Sequence, residues 1–364
     1  VEERPTLAGS FGILVLFDIA EEIRLDQLRA ILGTGSAGPA EMKHTAADHV
    51  RFERPPVIEH AGLITTATGE PFRCRLKYFD YGVISVEMMT DFSGGWDDLI
   101  GLSARWTDSP EIERCASDLL KKHLDRARPA LDQPYESRLS EDYRIIHIRE
   151  ALDWEGRPLT AFALLETRGD QIAQIVLAEL SPVSEAERER VLRTAMSYYP
   201  SDLVVTTWPA ALIYDSPSGA APVIQILEYA NSQLLEFRHY DVVLTDVLRR
   251  VYRSLEKRAG LFGRWKLAGE AEWLNTIRLD VTELTERADY AIKFLGDRYY
   301  ARLYRTAADR IGVRENRDLV EEKLNTAGDL YEFMVNEFHQ ARAFVLEVLV
   351  VAILVIELIN VFRR

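Results

Sequence analysis

The sequence predicts an α+β protein: two small α/β units, then a long antiparallel helical region, then a single transmembrane helix at the C-terminus. Three observations carry that expectation. Runs of β-branched and aromatic residues alternate with helical patterns as far as residue 215. From about residue 220 onward the apolar residues recur at helical intervals instead. Residues 343–362 then read AFVLEVLVVAILVIELINVF, interrupted only by Glu347, Glu357 and Asn360.

The first unit, expected over residues 1–128, opens on GSFGILVLFDI (9–19), a buried-strand run. A helical pattern through Leu25, Leu28, Ile31 and Leu32 follows, and the loop GTGSAGP comes after it. FRCRLKYF (72–79) and YGVISVEMM (81–89) read as strands, and a polar helix near 108–125 closes the unit. Pro129 and Pro134 mark a linker to the second unit, expected over 135–215. That unit contains EDYRIIHIREAL, LTAFALLET, QIAQIVLAEL, the helix SEAERERVLRTAMSYY and the strand pair LVVTTWPAALIYD.

Residues 216–342 are expected to form a helical hairpin or stalk. Leu227, Leu234, Leu244, Leu248, Val251 and Leu255 mark one helix, ending at Gly260. Trp273, Ile277, Val281, Leu284, Ala288, Ile292 and Leu295 begin another. A third starts near Glu315, and its stripe suits either a hairpin seam or a coiled coil between subunits. Leu324, Tyr331, Phe338 and Arg342 are the positions expected to carry helical assembly. The run 343–362 meets the length of a membrane span, since twenty residues at about 1.5 Å each cover roughly 30 Å. Glu347 and Glu357 lie five positions either side of its midpoint, as polar glue between helices or as rings lining a pore. A span so near the chain end inserts after synthesis, which leaves the head in the cytoplasm at the inner membrane, or in the matrix of an organelle.

Composition narrows the function classes. With 44 Lys+Arg against 58 Asp+Glu, the net charge of -14 opposes nonspecific attraction to nucleic acid. Cys74 and Cys115 are the only cysteines, too few for a disulfide framework or a thiolate zinc site. The opening VEERPTLAG has no basic region followed by an apolar one, so no signal peptide is expected in it. GTGSAG lacks the Lys and Ser/Thr of a phosphate-binding loop. His44, His49 and Glu59-His60 match no standard metal spacing. His147 among Ile145, Ile146 and Ile148 reads as a packed strand residue, and His239 as part of an interhelical hydrogen-bond network with Glu228 and Glu236. Cys115 has no base nearby in sequence and reads as inert. Trp96-Asp97-Asp98 and the pair Glu111 and Glu113 read as helix-start charges, and Trp208, Trp265 and Trp273 lack an interleaved basic run. No catalytic residue, cofactor or metal ligand is expected.

Leu303-Tyr304, Glu322-Lys323-Leu324, Leu346-Glu347 and Ile356-Glu357 resemble, in order and spacing, the C-terminal end of the "required for meiotic nuclear division" family, also called domain of unknown function 155. There a Leu-Glu-Trp opens the terminal membrane helix and an Ile-Glu stands ten residues on; here Val348 takes the place of the Trp. Tyr81-Gly82-Val83 and Tyr229-Ala230-Asn231 extend the similarity. The resemblance implies a divergent bacterial relative that is a membrane-anchored homo-oligomer without known enzymatic activity. Mitochondrial members of that family are associated with the inner membrane and with support of organellar translation.

The expected function is therefore a non-enzymatic, homo-oligomeric membrane scaffold. Its expected partners are the lipid bilayer, further copies of itself through the helical half, and an unidentified protein. The alternative is an oligomeric ion channel or transporter-like assembly with a cytoplasmic α/β head, reminiscent of magnesium channels without their Gly-Met-Asn signature. An enzyme using an α/β cleft has no motif behind it.

Overall fold

The computed structural model describes residues 7–33, 54–136, 138–256 and 298–362, with 279 and 282 singly. The chain divides into two compact units, Val1–Glu236 with Arg287–Arg314, and Phe237–Glu286 with Glu315–Arg364.

The first unit is built on one sheet of seven strands in the order β3-β4-β5-β1-β7-β9-β8. β1 (Leu7–Asp18) is its middle, buried at almost every position because both sheet faces are covered. It pairs antiparallel with β5 (Val83–Gly94) on one side and β7 (Ser140–Ala151) on the other, with Phe11 opposite Thr90 and Ile146. β3 (Val57–Thr65) and β4 (Pro71–Tyr78) extend the β5 side, also antiparallel. On the other side β9 (Ala210–Tyr214) runs parallel to β7, and β8 (Leu203–Thr206) closes the edge as a hairpin with it. A separate pair joins β2 (Ala20–Ile23) to β6 (Leu131–Pro134).

This arrangement corrects the expectation of two small α/β units. The two α/β stretches share a single sheet, because the twelve-residue β1 pairs with β5 of the first and β7 of the second. LTAFALLET and QIAQIVLAEL are likewise parts of one helix, α4 (Ala161–Leu177). Gly169 in its middle lets α5 (Glu185–Leu192) approach, since a Cβ there would come within 2.9 Å of Leu192.

The main core lies on one face of the sheet, where Phe11, Ile13, Val15, Leu76, Val86 and Ile146 meet the helices. Those helices are α1 (Leu25–Leu32), α2 (Trp96–Arg105), α3 (Pro110–Ala127), α4 and α5. The opposite face takes the first half of α6 (Pro217–Glu256), through Lys77 of β4 and Glu228, while α7 (Arg298–Ile311) touches β8 and bonds to α6 through Tyr304 and Gln233. Every residue of α6 from Ile226 to Glu236 is buried.

The second unit contains the rest of α6 and almost all of α8 (Val313–Phe362), a continuous helix of 50 residues. Phe237, Leu244 and Val247 of α6 and Val320 and Ala327 of α8 are buried at spacings of seven and three, the repeat by which two helices keep one seam in contact. Lys323 clamps the pair, donating to Asp241 and Thr245 at 2.6 Å each.

Among the described residues no helix is long and apolar enough to cross a membrane. The expectation of a C-terminal transmembrane helix over 343–362 is corrected accordingly, and with it the membrane and tail-anchor description. The apolar side chains described in that stretch run from Val350 to Ile356, seven residues or about 10 Å of helix, a third of a bilayer core.

Candidate functional site: a buried ionic cluster and an uncovered helix

β4 places its residues alternately on two faces. Phe72, Cys74, Leu76 and Tyr78 enter the main core, so Arg73, Arg75 and Lys77 share the opposite face. Directly across the β4–β5 ladder from Arg75 stands Glu87, and across from Lys77 stands Ser85. α6 then lowers Glu228 onto that face. Lys77 Nζ donates to Glu228 Oε2 at 2.5 Å and lies 3.0 Å from Glu87 Oε2, an ion pair by distance without hydrogen-bond geometry. Arg75 donates to the other oxygen of Glu87. Lys77, Glu87 and Glu228 are 8%, 2% and 1% exposed, so one cation and two carboxylates lie almost out of water, and the half-exposed Arg75 balances the charge from the edge.

The titration of the cluster follows from that balance. Burial opposes ionisation of Glu87, but Lys77 and Arg75 override it and hold the carboxyl down to about 2. Burial also opposes the charge on Lys77, and Glu228 with Glu87 turns the net shift upward. Both groups are thus locked in their charged forms, unsuited to exchanging protons near neutrality.

Polar residues continue along α6. Ser232 meets the Tyr81 hydroxyl at 2.6 Å, Asn231 donates to the Leu227 carbonyl, and Gln233 accepts from Tyr304. Tyr81, Tyr229 and Tyr304 form a chain of rings 6.3 and 6.1 Å apart. The triplets Tyr81-Gly82-Val83 and Tyr229-Ala230-Asn231 therefore sit where β5 meets α6. Lys77 and Glu87 escaped sequence reasoning. The available signal was three basic residues at period two on a strand whose alternate positions are apolar.

Two other polar groups lie in this unit. Glu59 accepts from Tyr78 at 2.7 Å and Arg126 at 3.1 Å, and His123 Nδ1 stands 2.9 Å away, while His60 is exposed. A cavity of about 480 Å³ beside α1 is lined by Arg24, Arg29 and Arg54 against Glu22, Asp26 and Asp80, cations matched by carboxylates. Among the described residues no three His, Cys, Asp or Glu side chains converge as metal ligands. His147 Nε2 meets the Asp215 carbonyl at 3.0 Å, and burial lowers its pKa. Burial pushes the Cys74 thiol up to about 11 and raises that of Cys115, which keeps both protonated. His239 packs edge-on against Tyr240 on α6. His44, His49, Trp265 and Trp273 lie outside the described residues.

In the second unit Leu324 is half-buried and Glu347 exposed. The side chains of Tyr331, Phe338, Arg342, Glu357 and Asn360 lie outside the described residues. Val350, Val351, Ile353, Leu354, Val355 and Ile356 are each 47–59% exposed. These positions circle the helix, so its apolar surface is open on every side rather than along one stripe.

The fold and these two features define an α/β protein on a mixed seven-stranded sheet, continued into a unit of packed helices. Residues 8–221, more than half of the 364, match the family model described as "Uncharacterized protein MJ0711, N-terminal domain", and the chain belongs to that family. Uncharacterized protein MJ0711 of Methanocaldococcus jannaschii is 22% identical over 297 residues, which cover 82% of this chain and 84% of that relative. No solved structure matches. The resemblance to the "required for meiotic nuclear division" family is overturned by this membership. It rested on short dipeptides and tripeptides, most of them on helices, whereas the family match spans the strands of the sheet.

Proposed function

We propose that this protein is a non-enzymatic scaffold that self-associates through its helical unit and so presents several copies of its α/β unit to a partner protein. The observation behind it is the apolar stretch Val350–Ile356, uncovered in a single chain. Seven consecutive apolar residues on an exposed helix are an association surface, because burying the half-exposed Val, Leu and Ile side chains returns on the order of 1 kcal/mol each. A non-enzymatic role is supported by the ionic cluster, whose charges are committed to one another, and by thiols held protonated.

The test is light scattering on the full chain and on a version ending at Arg342. The full chain is expected at a multiple of its monomer mass and the shortened one at a single copy. A full chain that stays monomeric at tens of micromolar refutes the proposal.

A further inference from the structure

Resting on the self-association proposed above, we infer the geometry of the assembly: α8 joins its copies in parallel and in register, in a bundle of more than two helices, through the C-terminal part of its heptad seam. The seam begins inside the chain. Val320 and Ala327 are buried and Leu324 is half-buried between them. Continuing the alternate steps of four and three from Val320 leads through Tyr331, Met334, Phe338, Ala341, Val345, Val348, Ala352, Val355 and Ile359 to Phe362, without a single polar residue. A strict seven-residue repeat over this length winds helices around one another rather than laying one against a sheet. The seam positions near residue 324 are covered within one chain, whereas Ala352 and Val355 on the same seam are exposed. A second copy of α8 carries the same repeat and continues the interface that already exists.

The flanking positions set the number of helices. Between 344 and 358 they are Phe344, Leu349, Val351, Ile356 and Leu358, all apolar, where a two-stranded coil places charges. From 350 to 356 all seven positions are apolar, a surface wider than one neighbour covers. A ring of more than two identical helices about one axis keeps every helix in the same direction. Glu347 and Glu357 fall on the heptad positions farthest from the seam, so they are outer residues of the bundle.

Cysteine crosslinking of the full chain tests this. In a Cys74→Ser, Cys115→Ser background, Val355→Cys lies on the seam and Val350→Cys on the outer side. With diamide as oxidant, Val355→Cys is expected to form a disulfide between copies at least tenfold faster than Val350→Cys. Val348→Cys, seven residues earlier on the seam, is expected to behave as Val355→Cys does. Equal rates at 350 and 355, or no crosslink at 348 and 355, in a protein that light scattering shows to be oligomeric overturn the register while leaving self-association standing. A dimer by light scattering overturns the inferred helix number. A monomer removes the register and the proposed function together.

Discussion

Replacing Lys77 by Met keeps the length of the side chain but takes the cation from between two carboxylates. Glu87 retains Arg75, whereas Glu228, 1% exposed, loses the donor that meets it at 2.5 Å. Breaking one side of a buried ion pair costs about 3–5 kcal/mol. Lys77→Met is therefore expected to lose about 3–5 kcal/mol at pH 7. Urea unfolding read by the fluorescence of Trp96 and Trp106, both buried in the same unit, measures it. Lys77→Met combined with Glu228→Leu should recover at least half of the loss, because an apolar pair replaces the ionic one without leaving a charge behind. A loss under 1 kcal/mol at pH 7, or no recovery in the double variant, would refute the reasoning.

Other sites give sharper or simpler tests. Gly82 has φ +94° and an added Cβ would stand 1.7 Å from the Ala20 carbonyl oxygen, so Gly82→Ala should cost more than about 3 kcal/mol and leave most of the protein insoluble on expression. Arg144, 1% exposed, donates to Ser103 Oγ at 2.9 Å and to the Val176 carbonyl at 3.3 Å, while Ser103 donates to the Ile175 carbonyl at 2.7 Å. Together they satisfy the C-terminal carbonyls of α4, and Ser103→Ala should lower stability by about 1–3 kcal/mol in a thermal melt. Burial lowers the pKa of His147 below its ordinary 6.5, so its share of stability is complete above that value and is lost as pH falls through the depressed one. An NMR titration of its ring should show a midpoint under 6.5, and a midpoint above it would contradict the packing described.

The individual strands were legible because their patterns are local. GSFGILVLFDI, FRCRLKYF, EDYRIIHIREAL and LVVTTWPAALIYD all lie on strands of the sheet. What could not be read was which strands adjoin: β1 and β7 are separated by over 120 residues, and each is apolar enough to be the middle of its own small sheet. In the helical half, α6 and α8 follow the helical period of their apolar residues, and the helix expected from Trp273 lies outside the described residues. Composition alone reads the apolar run near the C-terminus as a span, and composition does not distinguish solvation by lipid from burial against other helices. The ionic cluster was hidden for a related reason. Lys77, Glu87 and Glu228 lie on three elements, and charged residues on strands and helices ordinarily face water.

The enclosed stretch Ile226–Glu236 also sets a clock. Its eleven amides sit on a helix surrounded by other side chains along its whole circumference, so heavy water can reach them only when the sheet, α6 and α7 separate together. Exchange at these positions should be the slowest in the first unit, and its rate reads the free energy of opening that unit as a whole. A destabilising substitution on either face of the sheet will appear there as faster isotope uptake, even when nothing nearby has moved.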